Sequence, residues 1–283
     1  MKFLNASVVL LSLFLLISCK KIEEKPFFDN TLPDYECYES GTYIVGNDIP
    51  ADEYLLIAIE NESATFELYR SNNKESYAPD IEMKLVNRYF ITLFDGDKII
   101  LNGCKCISSK QAPPYVLNEQ DYPAGMYKVG YDINVDEWII VTNKEDVYVT
   151  IYNDTKYEIF SISHHAMVQT RYYITLVPDT YIFINEGKIQ KLDDRNNYSI
   201  YVKKTSSPEK YTYMQGMYKV GRDIKPGKYK VKCYMHKITE HNVIVTKGRM
   251  RLRYDIDTEE SLEVSLYEGY YILLYACYMK KIN

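Results

Sequence analysis

The chain has 283 residues, of which 46% are hydrophobic and 26% charged, and its formal net charge is −5 at pH 7. This composition is ordinary for globular domains, and the length is sufficient for more than one of them. The acidic balance and the lack of a sustained Lys/Arg run in the sequence argue against nucleic acid as a partner.

The N-terminus has the features of an export signal. Lys2 precedes an apolar run over residues 8–17, which is shorter than the about 20 residues that a transmembrane helix needs. The run ends in LISC at residues 16–19, which resembles the lipobox of bacterial lipoproteins. The resemblance implies that residues 1–18 are a signal peptide and that Cys19 is acylated. The alternative is a plain signal peptide in which this cysteine is incidental.

Residues 19–36 are polar and show no periodicity, so they are interpreted as the lipidated cysteine and a tether. Several acyl chains on Cys19 would anchor the protein durably, since each buried methylene contributes roughly 0.8 kcal/mol. Membrane lipid is therefore an expected partner. The expected location is exported and lipid-anchored, on the bacterial cell membrane or outer membrane.

One pattern occurs three times in the rest of the chain. Its copies are GTYIVGNDIPADEYLL at 41–56, GMYKVGYDINVDEWII at 125–140 and GMYKVGRDIKPGKYKV at 216–231. The spacing between copies is far longer than a solenoid repeat and suits a small complete domain. We therefore predict three modules, at residues 37–108, 121–193 and 211–283.

Each copy contains a turn with its own chemistry. Glycine recurs where a positive φ or a close backbone approach is expected, at Gly46, Gly130 and Gly221. Aspartate follows two residues later, where a short carboxylate can accept a backbone N–H, at Asp48, Asp132 and Asp223. A cation or catalytic role for these carboxylates is less favoured than a structural turn, because calcium alone would require six or more oxygens.

Apolar and polar residues alternate with a period of two on both sides of the turn, which is typical of half-buried strands. A second recurring stretch, at 89–101, 172–184 and 262–274, is predicted to form a β-hairpin in each copy. No segment of ten or more residues has a convincing helical period. The fold class is therefore predicted as all-β, with three tandem sandwich or barrel-like modules of roughly five to seven strands each, following a lipoprotein signal peptide.

The opening and closing stretches together resemble a module of uncharacterised exported bacterial proteins, often lipoproteins. In that family the opening runs approximately VGKDIPAGEY, and the close has a tyrosine, hydrophobic residues around a threonine, and Asp-Gly. Asp52 and Asp136 replace the turn glycine here, and Pro178-Asp179 replaces Asp-Gly. The resemblance implies the β architecture and the exported location, and it supplies no catalytic residues.

The cysteines beyond Cys19 suggest disulfides within modules. The candidates are Cys37 with Cys104 or Cys106, and Cys233 with Cys277. The alternative is that these are small buried thiols, and the odd number leaves at least one unpaired in a monomer. No zinc or other metal site is expected, because Cys-x-Cys occurs without a second pair.

The sequence contains no familiar catalytic motif, and His164 and His165 point to opposite faces of a strand if they lie on one. No cofactor is expected. The tyrosine pairs Tyr172-Tyr173 and Tyr270-Tyr271 are a candidate exposed surface for glycan or envelope protein. The leading hypothesis is a non-enzymatic binding array. The alternatives are an envelope hydrolase or accessory enzyme with a site between modules, and a structural spacer.

Overall fold

The computed structural model describes residues 37–59, 63–72, 78–117, 121–144, 146–158, 160–192, 202–203, 212–233, 242–257 and 260–282. The predicted signal peptide, the predicted acylation site Cys19 and the predicted tether lie outside these residues. Glu36–Asn283 forms one compact unit. Among the described residues, no helix has the length and apolarity needed to cross a bilayer.

The described residues form strands in three successive segments. The first segment (37–108) contains β1 (Cys37–Tyr38), β2 (Gly41–Ile44), β3 (Asp52–Ala58), β4 (Thr65–Tyr69), β5 (Ile81–Lys84), β6 (Arg88–Leu93), β7 (Lys98–Asn102) and β8 (Cys104–Ser108). The second segment (121–191) contains β9 (Asp121–Lys128), β10 (Glu137–Val141), β11 (Val147–Tyr152), β12 (Ile162–Val168), β13 (Arg171–Thr175) and β14 (Tyr181–Lys191). The third segment (202–282) contains β15 (Val202–Lys203), β16 (Thr212–Tyr213), β17 (Gly216–Lys219), β18 (Gly227–Cys233), β19 (Asn242–Lys247), β20 (Met250–Asp255), β21 (Ser261–Leu266), β22 (Tyr271–Tyr275) and β23 (Cys277–Lys281).

The same strand order recurs in each segment. The first segment has two antiparallel sheets, β1-β8-β3-β6 and β2-β7-β4-β5. The third segment has β15-β16-β23-β18-β21 and β17-β22-β19-β20. In the second segment the two halves join into one sheet, because β9 and β14 are long enough to run through both. The prediction of an all-β fold is confirmed.

The point where the chain passes from one half to the other is equivalent in all three segments. In the second segment the register of β14 shifts between Ile184 and Lys188, and Gly187 lies there with φ of +88°. Gly103 and Ala276 lie between β7 and β8 and between β22 and β23, one position before that of Gly187, with φ of +60° and +50°. A left-handed residue at this corner is what lets one strand path serve two sheets.

The prediction that the closing stretches form hairpins was wrong. In the first segment β6 pairs with β3, whereas β7 pairs with β2 and β4, so the two strands belong to different sheets. In the second segment β13 and β14 lie in one sheet but do not pair with each other, and in the third β21 and β22 belong to different sheets. The turn between them connects sheets, because both strands are apolar enough to pack in one core and hydrogen-bond to other partners.

An aromatic residue at one repeated position anchors each core. Tyr54, Trp138 and Tyr229 are buried, with 1%, 3% and 0% of their surface exposed. Each donates a hydrogen bond from its polar end to a carbonyl four residues earlier, at 2.8, 3.0 and 2.5 Å. The ring therefore contributes apolar area while its polar atom stays satisfied.

Candidate functional site: two repeated junctions between segments

The repeated turn has the same geometry in all three copies. Its glycine has φ of +89° at Gly46, +89° at Gly130 and +94° at Gly221. The glycine N–H donates to the carbonyl of an isoleucine three residues on, at 2.7, 2.8 and 2.7 Å. The valine before the glycine and that isoleucine also form an isolated parallel bridge. The turn folds back on itself and presents its aspartate beside the preceding strand.

The turn aspartates accept a backbone N–H from that strand. Asp48 accepts the N–H of Ile44 at 2.7 Å, Asp132 that of Lys128 at 2.9 Å and Asp223 that of Lys219 at 2.7 Å. These bonds fix the turn, as an Asx-type carboxylate does. In the second and third segments the same carboxylate has a further partner that comes from the preceding segment.

That partner is an arginine at the start of an edge strand. Arg88 Nη2 lies 3.0 Å from Asp132 Oδ2, and Arg171 Nη2 lies 2.8 Å from Asp223 Oδ2. The side chains are 1% and 0% exposed in the first pair and 5% and 7% exposed in the second. Arg88 begins β6, and Arg171 begins β13. Two buried ion pairs of the same design therefore link the three segments in series.

Aromatic rings and a glycine enclose each guanidinium. The Arg88 guanidinium lies over the rings of Phe90, Tyr115 and Tyr127 at 5.2–5.4 Å from their centroids. Arg171 lies over Tyr173 and Tyr218, each at 5.4 Å. The facing glycine of the next segment makes room, since a Cβ there would come within 3.2 Å of Arg88 Cγ at Gly125 and 3.1 Å of Arg171 Cγ at Gly216.

A second polar contact accompanies each ion pair. Glu53 of the first segment accepts from Lys128 Nζ at 3.3 Å and from the Tyr181 hydroxyl of the second segment. Glu137 of the second segment accepts from Lys219 Nζ at 2.5 Å and from the Tyr271 hydroxyl of the third. The strand registers place these residues at equivalent positions in their segments.

Each junction also covers an edge strand. The N–H of Phe90 on β6 donates to Met126 Sδ at 3.4 Å, and the N–H of Tyr173 on β13 donates to Met217 Sδ at 3.4 Å. A ring pair repeats beside these bonds. Phe90 packs against Tyr181 at 5.3 Å and Tyr173 against Tyr271 at 5.6 Å, between ring centroids. An uncovered edge strand invites pairing with other chains, and here the next segment occupies that position.

We call the residues that a segment presents to the next segment its exit face, and those that it presents to the previous segment its entry face. The two exit faces consist of Glu53, Arg88 and Phe90, and of Glu137, Arg171 and Tyr173. The two entry faces consist of Met126, Lys128, Asp132 and Tyr181, and of Met217, Lys219, Asp223 and Tyr271. Met217 lies within the hydrophobic core cluster of the second segment, so the apolar packing continues across the second junction.

Buried ion pairs of this kind favour one orientation more than they add stability. Desolvation of both charges offsets much of their attraction, whereas removal of one partner leaves a buried charge without compensation. Within the described residues, Nε of both arginines has no hydrogen-bond partner, so the pairs are not fully satisfied. The arrangement can therefore fix which surfaces meet and at what angle.

The structure corrects the prediction of an exposed tyrosine surface. Tyr172 and Tyr173 are 9% and 4% exposed, because β13 is covered by the third segment and by β12. The Tyr271 hydroxyl is bonded to Glu137 in the second junction. Tyr270 is part buried, lies edge-on to Tyr267 at 5.6 Å and has Lys247 Nζ above its ring at 5.0 Å. Tyr270 also packs against the core of the third segment, so all four tyrosines belong to packing within the chain.

The candidate disulfide cysteines are thiols in this structure. Cys37 lies opposite Ile107 in the strand register, so it points to the other face of the sheet from Cys104 and Cys106. This register corrects the pairing predicted for Cys37. Burial raises the pKa of Cys104 to about 11 and that of Cys106 to about 12, which keeps both thiols protonated at neutral pH.

Cys233 and Cys277 lie directly opposite each other on β18 and β23, with their Sγ atoms 3.0 Å apart. Both are buried. Burial is the larger cause that raises the pKa of the Cys277 thiol, and the neighbouring Cys233 raises it further. This register allows a disulfide with little backbone movement. Their pairing in an oxidising compartment stays a prediction.

The histidines of β12 face different neighbours. His164 Nε2 is 3.0 Å from the Tyr172 hydroxyl, and His165 Nδ1 is 2.9 Å from Thr150 Oγ1. Burial lowers the pKa of His164, and the positive charges of Arg251 and His165 lower it further. Within the described residues, no group of three or more His, Cys, Asp or Glu side chains is placed to hold a metal ion.

Sequence reasoning found the turn aspartates but missed their arginine partners and the glutamates beside them. The signal was present in the distribution of residue types among the three copies. Arg and Glu occur at the exit positions of the first two copies, whereas Met and Lys occur at the entry positions of the last two. No family model matches the chain, and no curated protein matches it either.

Proposed function

We propose that the protein is a lipid-anchored envelope lipoprotein whose folded part acts as a rigid, non-enzymatic spacer. The export signal and the lipobox resemblance around Cys19 support the anchoring. The two buried junctions support the rigid spacer. In this proposal the junctions hold the third segment at a fixed distance and orientation from the first.

The observation that carries the proposal is the pair of equivalent ion pairs, Arg88 with Asp132 and Arg171 with Asp223. Domains joined in one chain move relative to one another unless their interface is large and apolar. Here each interface combines a buried salt bridge, a ring pair and a covered strand edge. The space between segments that an active-site cleft would need is filled by these side chains, which favours the spacer over an enzyme.

The distance between the first and third segments tests rigidity. Unnatural amino acids at the exposed Asn47 and Arg249 would carry spin labels in the chain from residue 20 onward. We expect one narrow distance distribution, and a broad one in the double variant Arg88→Ala/Arg171→Ala. A broad distribution in the unsubstituted chain would contradict the spacer proposal.

Anchoring is tested separately in cells. Metabolic labelling with palmitate is expected to mark the mature protein, and Cys19→Ser is expected to abolish the label and release the protein from the membrane fraction. A labelled Cys19→Ser variant would contradict acylation at this residue. This outcome would leave the rigidity test unaffected.

One observation favours a binding array as a second candidate. An exposed apolar residue recurs at the turn after Leu93, Leu176 and Leu266. These residues are Phe94, Val177 and Tyr267, with exposed fractions of 40%, 52% and 60%. Sugars and peptides stack on such side chains, and a row of three would add avidity. A glycan and envelope-protein binding screen of the chain from residue 20, compared with the triple alanine variant, tests this candidate.

A further inference from the structure

The two ends of the chain differ from its two junctions at the residues that make the junctions. The strand registers assign each position of the third segment to its counterpart in the second. Lys228 stands at the position of Glu137, Ser261 at that of Arg171 and Glu263 at that of Tyr173. All three are exposed, whereas Arg171 and Tyr173 are buried. The third segment therefore has no exit face of the kind that the first two segments use.

The first segment differs in the complementary way. Thr42, Ile44 and Lys98 stand at the positions that Met126, Lys128 and Tyr181 occupy in the second segment. The turn aspartate, Asp48, is retained, since it fixes the turn through the N–H of Ile44. It is exposed, in contrast to Asp132. The first segment has the fold of an entry face without its side chains.

These replacements would also bring like charges together if two copies docked head to tail. If the third segment of one copy met the first segment of another in the geometry of a junction, Lys228 would face Lys98 where Glu137 faces Tyr271. Glu263 would face Asp48 where the Tyr173 hydroxyl bonds Asp223 at 2.8 Å. No arginine would compensate Asp48. Like charges brought together on docking exclude the wrong partner more effectively than lost contacts do.

We propose that the exit and entry residues form a pairing code between successive segments, and that both ends of the chain lack it, so that copies do not join head to tail. The code consists of an Arg, a Glu and an aromatic residue on one side and an Asp, a Met, a Lys and a Tyr on the other. Terminal repeats of an array need a polar outer face for the same physical reason. This inference depends on the junctions and not on the role of the spacer.

Restoring the code at the ends tests the inference. The exit variant Lys228→Glu/Ser261→Arg/Glu263→Tyr would copy the second segment onto the third. The entry variant Thr42→Met/Ile44→Lys/Lys98→Tyr would copy the second segment onto the first. Both would be prepared in the chain from residue 20 onward, which contains the whole compact unit. Circular dichroism and thermal melting would establish that each variant is folded.

Sedimentation of the mixed variants gives the result. Intramolecular pairing through a short linker has an effective concentration of roughly millimolar, so the measurement should reach about 1 mM of each chain. We expect the unsubstituted chain and each variant alone to remain monomeric, and an equimolar mixture to form a 1:1 dimer. The chain with all six substitutions should form longer, concentration-dependent polymers.

Two results would overturn the inference. Folded exit and entry variants that remain monomeric together at about 1 mM would show that these residues are not the pairing code. Head-to-tail association of the unsubstituted chain would show that its first and third segments do not prevent copies from joining.

A mixture in which the exit variant carries Ser261→Lys in place of Ser261→Arg is a matched control. It is expected to dimerise at least tenfold more weakly, because lysine lacks the planar guanidinium.

Discussion

The two junctions use the same ion pair in different surroundings. In the first, Arg88 is held between three aromatic rings, and Asp132 is fully buried. In the second, two rings flank Arg171, and the Tyr173 hydroxyl bonds Asp223 at 2.8 Å. Phe90 occupies the Tyr173 position in the first junction and carries no hydroxyl. In the first junction the further donor to the anion is the N–H of Tyr115, 2.8 Å from Asp132 Oδ1. The two junctions thus differ in the number of rings on the cation and in whether a backbone N–H or a hydroxyl donates to the anion.

The first junction has further contacts from the loop after β11. The N–H of Thr92 donates to the carbonyl of Thr155 at 2.8 Å, and Arg70 Nη2 donates to the carbonyl of Lys156 at 2.6 Å. The third segment has a short β19–β20 turn at the corresponding place. The second junction therefore depends more on its ion pair and on the Tyr173 hydroxyl. The first junction has additional contacts that would remain if its ion pair were removed.

The largest effect is expected from removal of the buried arginines. Arg88→Ala leaves the fully buried Asp132 without its countercharge and should lower the free energy of unfolding by about 3–5 kcal/mol. Arg171→Ala should cost less, about 2–3 kcal/mol, because the Asp223 side chain is slightly exposed whereas that of Asp132 is fully buried. Urea denaturation of both variants measures the difference. An equal or larger loss in Arg171→Ala would contradict the proposed distinction between the junctions.

Removal of the Tyr173 hydroxyl leaves Phe at the position that Phe90 occupies in the first junction. The second junction would then resemble the first, but it would lack the extra contacts that the first receives from the loop after β11. Tyr173→Phe deletes the hydrogen bond that the hydroxyl donates to the buried carboxylate and the one that it accepts from Arg171 Nη2 at 2.8 Å, and it should cost about 1.5–3 kcal/mol. The neighbouring Tyr172→Phe is the matched control, because its hydroxyl bonds His164 within the same segment. Urea denaturation should show a smaller loss for the control. Equal losses would mean that the Tyr173 bond to Asp223 is not a special feature of this junction.

The methionines should respond in the same direction, because each accepts the N–H of an edge strand, although Met126 Sδ also lies 3.7 Å from the Tyr157 hydroxyl. Met126→Leu and Met217→Leu each remove the acceptor of an edge-strand N–H, at 3.4 Å in both junctions, with little change of volume. The expected cost is about 0.5–1.5 kcal/mol for each variant. Hydrogen exchange of the amides of Phe90 and Tyr173 should accelerate in the corresponding variant only. Unchanged exchange would show that the sulfur does not accept these N–H groups.

The part of the fold that depends on local chemistry could be predicted from the sequence. Alternation of apolar residues predicts strands, and Gly130 followed by Asp132 predicts a turn in which a carboxylate accepts an N–H. The sheet to which each strand belongs could not be predicted in this way. The Pro178-Asp179 turn has hairpin residues, yet β13 and β14 pair with other strands.

The junctions were harder to predict, because their partners are distant in sequence and chemically ordinary. Arg88 and Asp132 are separated by 44 residues. Taken alone, Arg88 is interpreted as a surface charge and Asp132 as a turn former. They are distinguished by which of the three copies of the repeat contain them. A residue that matters to one module alone recurs in all copies, as Gly46 does at Gly130 and Gly221. A residue that serves only the junction, as Arg88 and Arg171 do, is missing from the copy at one end, whereas Asp48 is kept because it also fixes the turn.

The smallest expected effect is a sensitivity of the second junction to acid. The pKa of His164 is lowered by burial and by Arg251 of the third segment, so the unfolded chain binds a proton at a higher pH than the folded chain does. Its contribution to stability is present above the ordinary histidine pKa of about 6.5 and is lost as the pH falls below it. His164→Gln should remove the decline in stability between about pH 6.5 and 5, and Arg251→Gln should reduce it. Spin-label distances across each junction, measured as the pH is lowered, would show whether the second junction loosens at a higher pH than the first. An acid-induced decline that persists unchanged in His164→Gln would assign it to the carboxylates instead.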